Sequence, residues 1–233
     1  MEKHRSFGIS FIIGCLVLGI CLILTVKSLK SYDRVVSVKG LCEKEVMADN
    51  VIWPISYKLG GNDLSSLYNE VNAKNDIIIK FLKQAGIDEG EITVKPANIT
   101  DNRANSYENN ARYNYLIVSV VTVCTDKVMK VVELQSSVGS LIEKGIPVGN
   151  TESWEYQTVF SFTKLNDIKP EMIEEATINA REAATKFAKD SKSKLGKIKN
   201  ATQGQFSITD RDSNTPYIKN VRVVTNVVYY VKG

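Results

Sequence analysis

The chain has 233 residues, 43% of them hydrophobic and 24% charged, a globular composition that excludes disorder as its main theme. The net charge of +4 sits near the N-terminus, where Lys3, Arg5, Lys27 and Lys30 face Glu2 alone; residues 31–233 carry 26 cations against 25 acids. Binding a polyanion needs clustered cations, so nucleic acid is not an expected partner.

Phe7 to Val26 (FGISFIIGCLVLGICLILTV) runs for twenty residues without a charge, long enough for one helix to cross a bilayer core. The competing reading is a secretory signal, but such signals have an apolar core of about 7–15 residues and a small-residue cleavage site. Lipidation at Cys15 or Cys21 is a further alternative: Ile12-Ile13-Gly14 loosely fits a lipidation box, although the apolar run continues past it. An uncleaved anchor, with the rest of the chain exported, is the expectation, and release after cleavage is its alternative. The cations flanking the span are too evenly divided to fix orientation, and retention of the domain in the cytoplasm stays open. Residues 1–30 are thus tail and anchor, and 31–233 a separate domain.

From Val35 the apolar period is two. Val36, Val38, Gly40 and Cys42 form one alternating set, and Val51, Trp53, Ile55, Tyr57 and Leu59 a second, predicting two strands. Pro54 lacks an amide and predicts an edge position or bulge. Gly60-Gly61-Asn62-Asp63 supplies a turn and a cap. Leu64, Leu67, Val71, Ile78, Leu82 and Ala85 then predict a helix stopped at Gly86. A strand over Ile92–Ile99 and an asparagine-rich loop from Asp101 to Arg112 follow. Tyr115 to Cys124 is apolar on both faces, which predicts a central strand covered on both sides or one buried at an interface.

Asp126 to Lys144 predicts one helix, with Val128, Val131, Val132, Leu134, Val138, Leu141 and Ile142 as its stripe. After a turn at Pro147–Asn150, Trp154, Tyr156, Thr158, Phe160 and Phe162 predict a strand. Asn166 or Asp167 caps the last helix, with Pro170 in its first turn, where a missing amide costs nothing. Ile173, Ala176, Ala180, Ala184, Phe187 and Leu195 mark its buried side, and Gly196 ends it. Strands over Ile198–Thr209 and Val221–Val231 close the chain.

Residues 50–124 and 152–231 share the order strand, helix, strand, polar loop, strand. Tyr57-Lys58-Leu59 and Thr163-Lys164-Leu165 precede the two long helices, and Ile99-Thr100-Asp101 matches Ile208-Thr209-Asp210. The alternatives are a duplicated β-α-β-β unit and coincidence among common residues. Duplication predicts an α+β fold in which two long helices cover one face of an antiparallel sheet and share one core.

The strings VSVKG, WPISYKL, NAKNDIIIKFL, ITVKPANITD, FTKLNDIKP and GKIKNATQGQFSITDRD resemble the SIMPL domain family over about residues 33–231. The resemblance implies bacterial envelope placement, a two-helix-over-sheet fold, and ring-like or channel-like homo-oligomers in at least some members. That placement implies an anchor in the bacterial inner membrane with a periplasmic domain, or release to the periplasm or outer membrane after cleavage. It supplies no catalytic residues. Many members carry an ordinary signal peptide, from which the long apolar run here departs.

Little in the chain looks like catalytic machinery. The single histidine, His4, precedes the apolar run, so the domain has no Ser/His or Cys/His pair and no histidine metal site. No nucleophile elbow, Walker loop or dinucleotide glycine motif occurs, and no cofactor is expected. Cys42 and Cys124 either pair across neighbouring strands or are two small buried hydrophobes, the second being the commoner case. Asp210, Asp212 and Asn214 copy the start of a calcium loop, but Thr215 and Val221 stand where glycine and glutamate belong, which favours a solvated turn before Pro216. Lys186, Lys189, Lys192, Lys194, Lys197 and Lys199 form the one basic cluster. Anionic lipid or polymer phosphate is one reading; complementing a helix C-terminus, plus solubility, is the preferred one. Trp53, Trp154, Tyr156, Tyr229 and Tyr230 are candidates for an interface or ligand groove, against the commoner role of core or subunit contact. Tyr229 and Tyr230 point to opposite faces of one strand.

Three functions are therefore carried forward. First is an anchored, self-associating, non-catalytic envelope protein with a structural or stress-protective role. The alternative is a periplasmic binding module that takes a small ligand or envelope polymer through an oligomer pore or aromatic groove. An unrecognised hydrolase comes last.

Overall fold

The computed structural model describes residues 14–25, 34–104, 112–149 and 154–232. These form an α+β fold with helices α1 (14–25), α2 (Leu64–Gln84), α3 (Val128–Ser136), α4 (Gly139–Glu143) and α5 (Leu165–Asp190). The strands are β1 (Val35–Met47), β2 (Asn50–Gly61), β3 (Ile92–Val94), β4 (Asn98–Asp101), β5 (Tyr115–Thr125), β6 (Val159–Ser161), β7 (Lys194–Gln203), β8 (Ser207–Asp210) and β9 (Ile218–Lys232). The chain divides into two compact units. The first comprises residues 1–44, 166–208 and 221–233, and the second 45–165 and 209–220.

The strands make two sheets where a single sheet was expected. One has the order β1-β9-β7 with β8 also on β9; the other has β3-β5-β2-β6 with β4 also on β5. Both share a plan in which a long central strand pairs with one long strand and two further strands, β6 being added outside β2 in the second sheet. The expected partner of α5, the strand through Trp154, is not where the second half begins. Only Val159–Ser161 is extended there, and it pairs with Asn50–Ile52 of β2, while β1 fills the corresponding place beside β9. Residues Trp154–Tyr156 instead form a 3₁₀ turn.

In the second unit β2 and β5 pair antiparallel from Val51↔Thr125 to Gly61↔Tyr115. β5 is central, as its apolar run implied. Its covered side, Ile117 to Thr125 at alternate positions, is buried throughout, whereas Cys124 on the other side is exposed. Pro54 lies beyond the short β6 segment, so its missing amide leaves no β6 bond unmade. Asp63 caps α2: its carboxylate accepts the Ser66 amide at 2.8 Å, and the Ser66 side chain and amide hold it below the usual carboxylate range. At the other end Gly86 adopts φ +90°, and the Ile87 amide reaches back to the Leu82 carbonyl at 3.1 Å. Leu67, Val71, Ile78 and Leu82 of α2 join Val51, Trp53, Ile55 and Tyr57 of β2 in one core with Val128, Val131, Leu134, Leu141, Ile146 and Phe160. Leu64, expected on this stripe, is exposed.

Three expected elements are broken in two. Ile92–Ile99 becomes β3 and β4, because the Lys95 amide reaches the Val120 carbonyl at 3.0 Å but Pro96 has no amide to continue the ladder. The helix expected over 126–144 stops at Ser136, where the hydroxyls of Ser136 and Ser137 turn back to the Val132 and Glu133 carbonyls, and restarts at Gly139. Ile198–Thr209 divides into β7 and β8.

In the first unit α5 covers the sheet with a row of small side chains. Met172, Ala176, Ala180, Ala184 and Ala188 are buried, while Phe187, expected inside, is exposed and Ile173 only half-buried. A Cβ on Gly40 of β1 would lie 1.8 Å from the Ala176 carbonyl oxygen and 2.6 Å from the Ala180 nitrogen, so helix and strand backbones all but touch there. Larger side chains would hold them apart. Pro170 lies inside α5, since the helix begins at Leu165. Gly196 does not end it: the chain turns at Lys192 (φ +53°), and Gly196 sits in β7 against the Tyr230 backbone.

Candidate functional site

Helix α1 is apolar on every side, and nothing among the described residues covers it. Its large aliphatic residues Leu16, Val17, Leu18, Ile20, Leu22, Ile23 and Leu24 are between 51% and 64% exposed. Around its circumference there is no polar face to meet water, the pattern of a helix surrounded by protein or lipid. Phe7 and Val26, the ends of the predicted span, lie outside the described residues. Among the described residues no helix is long and apolar enough to cross a membrane.

Where α5 lies on β1, the first unit brings together its most unusual polar group. The Cys42 thiol is buried and donates to Glu175 Oε2 at 3.1 Å; two positions along the strand, Lys44 Nζ lies 2.8 Å from Glu171 Oε2. Burial, the hydrogen bond to Glu175 and the two nearby carboxylates push the thiol up to about 11. It is thus held as a hydrogen-bond donor and is a poor nucleophile at neutral pH. Asn179 of α5 donates to the Leu41 carbonyl at 2.8 Å, a further tie between helix and strand. Cys124 is exposed and unpaired, so the two domain cysteines do not form a disulfide in this structure.

The candidate groove aromatics are divided between the two units. Trp53 is 6% exposed, inside the core of the second unit. Tyr229 is 4% exposed, inside the core of the first unit with Val36, Ala180, Ala184 and Val227. Tyr230 faces the other side of β9, its ring 5.6 Å from Lys199 Nζ. Tyr156 is half-buried in the 3₁₀ turn, and the Trp154 side chain lies outside the described residues.

The calcium-like loop is occupied by its own chain. Asp212 accepts the amides of Asn214 and Thr215, each at 2.8 Å, and Arg211 Nε at 3.1 Å; Asp210 is paired with Lys219. The Thr215 and Arg211 hydrogen bonds hold the Asp212 carboxyl far below the usual range. Among the described residues no group of three or more His, Cys, Asp or Glu side chains is placed to hold a metal ion.

Sequence reading missed a buried polar cluster in the second unit. The Tyr57 hydroxyl lies 2.9 Å from both the Val71 carbonyl and Asn75 Oδ1, and Ser119 donates to Asn75 Oδ1 at 3.0 Å. Burial pushes the Tyr57 hydroxyl up to about 12. The signal was an asparagine between Val71 and Ile78 on an otherwise apolar stripe, a position where a polar side chain must find partners. A surface cluster also went unread: Lys127 Nζ lies 2.6 Å from Asp88 and 3.0 Å from Glu91, which also takes Thr125 Oγ1 at 2.6 Å. Partial burial raises Glu91, but these hydrogen bonds outweigh it and leave the carboxyl below its ordinary value.

No relative of this chain was found among curated proteins. A family profile, described as "SIMPL: Protein of unknown function (DUF541)", matches residues 36–229, from the first buried residue of β1 to the last buried residue of β9. With that match covering most of its length, the chain belongs to the SIMPL family.

Proposed function

We propose that this protein is a membrane-anchored, self-associating envelope protein with a structural or stress-protective role, acting without a catalytic centre. The observation that carries the reading is α1, whose apolar side chains are exposed around the whole helix and need a non-aqueous environment. In this reading residues 7–26 cross the inner membrane once and residues 31–233 face the periplasm. The two sheets, each with one long helix, are descendants of one duplicated strand-helix-strand-strand unit. Self-association is supported by Val35, Leu41 and Met47, exposed apolar residues at like positions on the side of β1 away from α5. The raised Cys42 thiol and the absence of any histidine after His4 favour a non-catalytic role.

Two measurements test this. Protease added to spheroplasts from a bacterial host making the full chain should digest the domain while the cell interior stays protected; a protected domain refutes export. Light scattering of the full chain in detergent should give a defined multiple of the protomer mass, and a monomer at high concentration refutes self-association.

A further inference from the structure

The basic cluster on α5 and β7 is larger in space than in sequence. Residues 181–199 hold seven cations, against only Glu182 and Asp190. Complementing the helix C-terminus accounts for one of them, since Lys189 alone lies in the last turn of α5. The others have a different common feature. Lys194 pairs in register with Lys232 and Leu195 with Val231, while the Val231 amide bonds the Arg34 carbonyl at 2.9 Å. The start of β7, the end of β9 and the start of β1 therefore share one end of the first unit, and the C-terminus of α5 leads directly into it. Lys186, Lys189, Lys192, Lys194, Lys197 and Lys232 are all exposed there, and none forms a salt bridge among the described residues.

The same end shows an aromatic ring to solvent. Phe187 is 57% exposed, between Lys186 and Lys189. On the outer face of α5 an open hollow of about 670 Å³ is lined by Ile178, Thr185 and the long side chains of Arg181, Lys186 and Lys189, together with Glu182 and Asp190. Cations without salt bridges among the described residues, their aliphatic stems lining an open hollow beside an exposed ring, match a phosphate headgroup with the start of its acyl chain.

We infer that this basic end of the first unit docks on anionic phospholipid headgroups at the membrane surface. The inference rests partly on the anchor reading, because β1 begins just after the predicted span. Residues 27–34 reach at most about 28 Å even fully extended, a tether short enough to let the lysines reach the bilayer surface. Within a Debye length of about 8 Å, each contributes attraction to an anionic surface.

The test uses the full chain in lipid nanodiscs of phosphatidylcholine, with or without phosphatidylglycerol. Lysines are labelled with a water-soluble acylating reagent and read by mass spectrometry. Labelling of Lys194, Lys197 and Lys232 should slow about tenfold in the anionic discs, with exposed Lys144 of the second unit unchanged. High salt, or the triple variant Lys186→Gln, Lys189→Gln, Lys192→Gln with an unaltered melting temperature, should restore it. Equal labelling in both discs overturns the docking and leaves the anchor standing. Equal protection by inorganic phosphate in zwitterionic discs overturns it in favour of a free-phosphate site. A chain that fails to enter either disc overturns the anchor, and the docking is then read by sedimentation with anionic vesicles. Salt-sensitive binding lost in the triple variant upholds it, and no binding overturns it.

Discussion

The two long helices cover their sheets in opposite ways. Helix α2 meets β2 with Leu67, Val71, Ile78 and Leu82, branched side chains that fill a wide gap and share a large core with α3 and α4. Helix α5 meets β1 with four alanines and Met172, and closes until the Gly40 and Ala176 backbones are in contact. One interface is held by buried apolar volume and the other by close approach, so the two should fail for different reasons. The first is sensitive to lost methyl groups, and the second to added ones.

The largest effect should come from Gly40→Val. No rotamer moves its Cβ away from the Ala176 carbonyl, so α5 must lift off β1, at a cost above about 3 kcal/mol, the upper end of overpacking. Both tryptophans belong to the second unit. Helical circular dichroism should therefore lose its α5 contribution while the tryptophan fluorescence midpoint in urea holds. A fluorescence shift as large as the dichroism shift would mean the interfaces do not differ in this way. In α2 the corresponding injury is removal: Ile78→Ala should cost about 3 kcal/mol by leaving a cavity, lowering the fluorescence midpoint.

A smaller change is expected from Asn75→Leu, which takes from Tyr57 and Ser119 a shared acceptor and should cost about 1–2 kcal/mol. Tyr57 retains the Val71 carbonyl, so the loss stays below that of Ile78→Ala.

The smallest effect is on pH dependence, and each unit supplies one group. Cys42 rises from 9.0 to about 11 and Tyr57 from 10.0 to about 12, both chiefly through burial. Folding favours the neutral, protonated form of each. Their contribution is thus fully present below about pH 9 and is lost as pH climbs through 11 and 12. Denaturation midpoints should be flat in this respect at neutral pH and fall above pH 9, with Cys42→Ala removing the earlier part of the fall.

Much of this contrast was legible in the residues, but not all of it. The period-two runs of β1 and β2, the apolar run of β5 and the Asp63 and Gly86 boundaries of α2 are local signals, and the fold keeps them. On α5 the helical spacing of Ala176, Ala180 and Ala184 holds, but the stripe continues through Met172 and Ala188 rather than through the bulkier Ile173 and Phe187. Gly40 on the facing strand was the clue, since only a small-residue helix can approach it. Pro96 likewise announced the break between β3 and β4. The placement of β1 beside β9, and of β6 beside β2, depends on pairing between segments far apart in the chain, and no local pattern encodes it. Alternation likewise put Trp53 and Tyr229 on covered faces but could not say that the covers were different cores.

The central claim is that α1 belongs to an integral membrane span. Its most direct test is an alkaline carbonate wash of membranes from cells making the full chain, followed by flotation. An anchored chain floats with the lipid after the wash, because apolar side chains in the bilayer do not depend on charge. Recovery in the carbonate supernatant would contradict the account, leaving a protein held at most by its basic end.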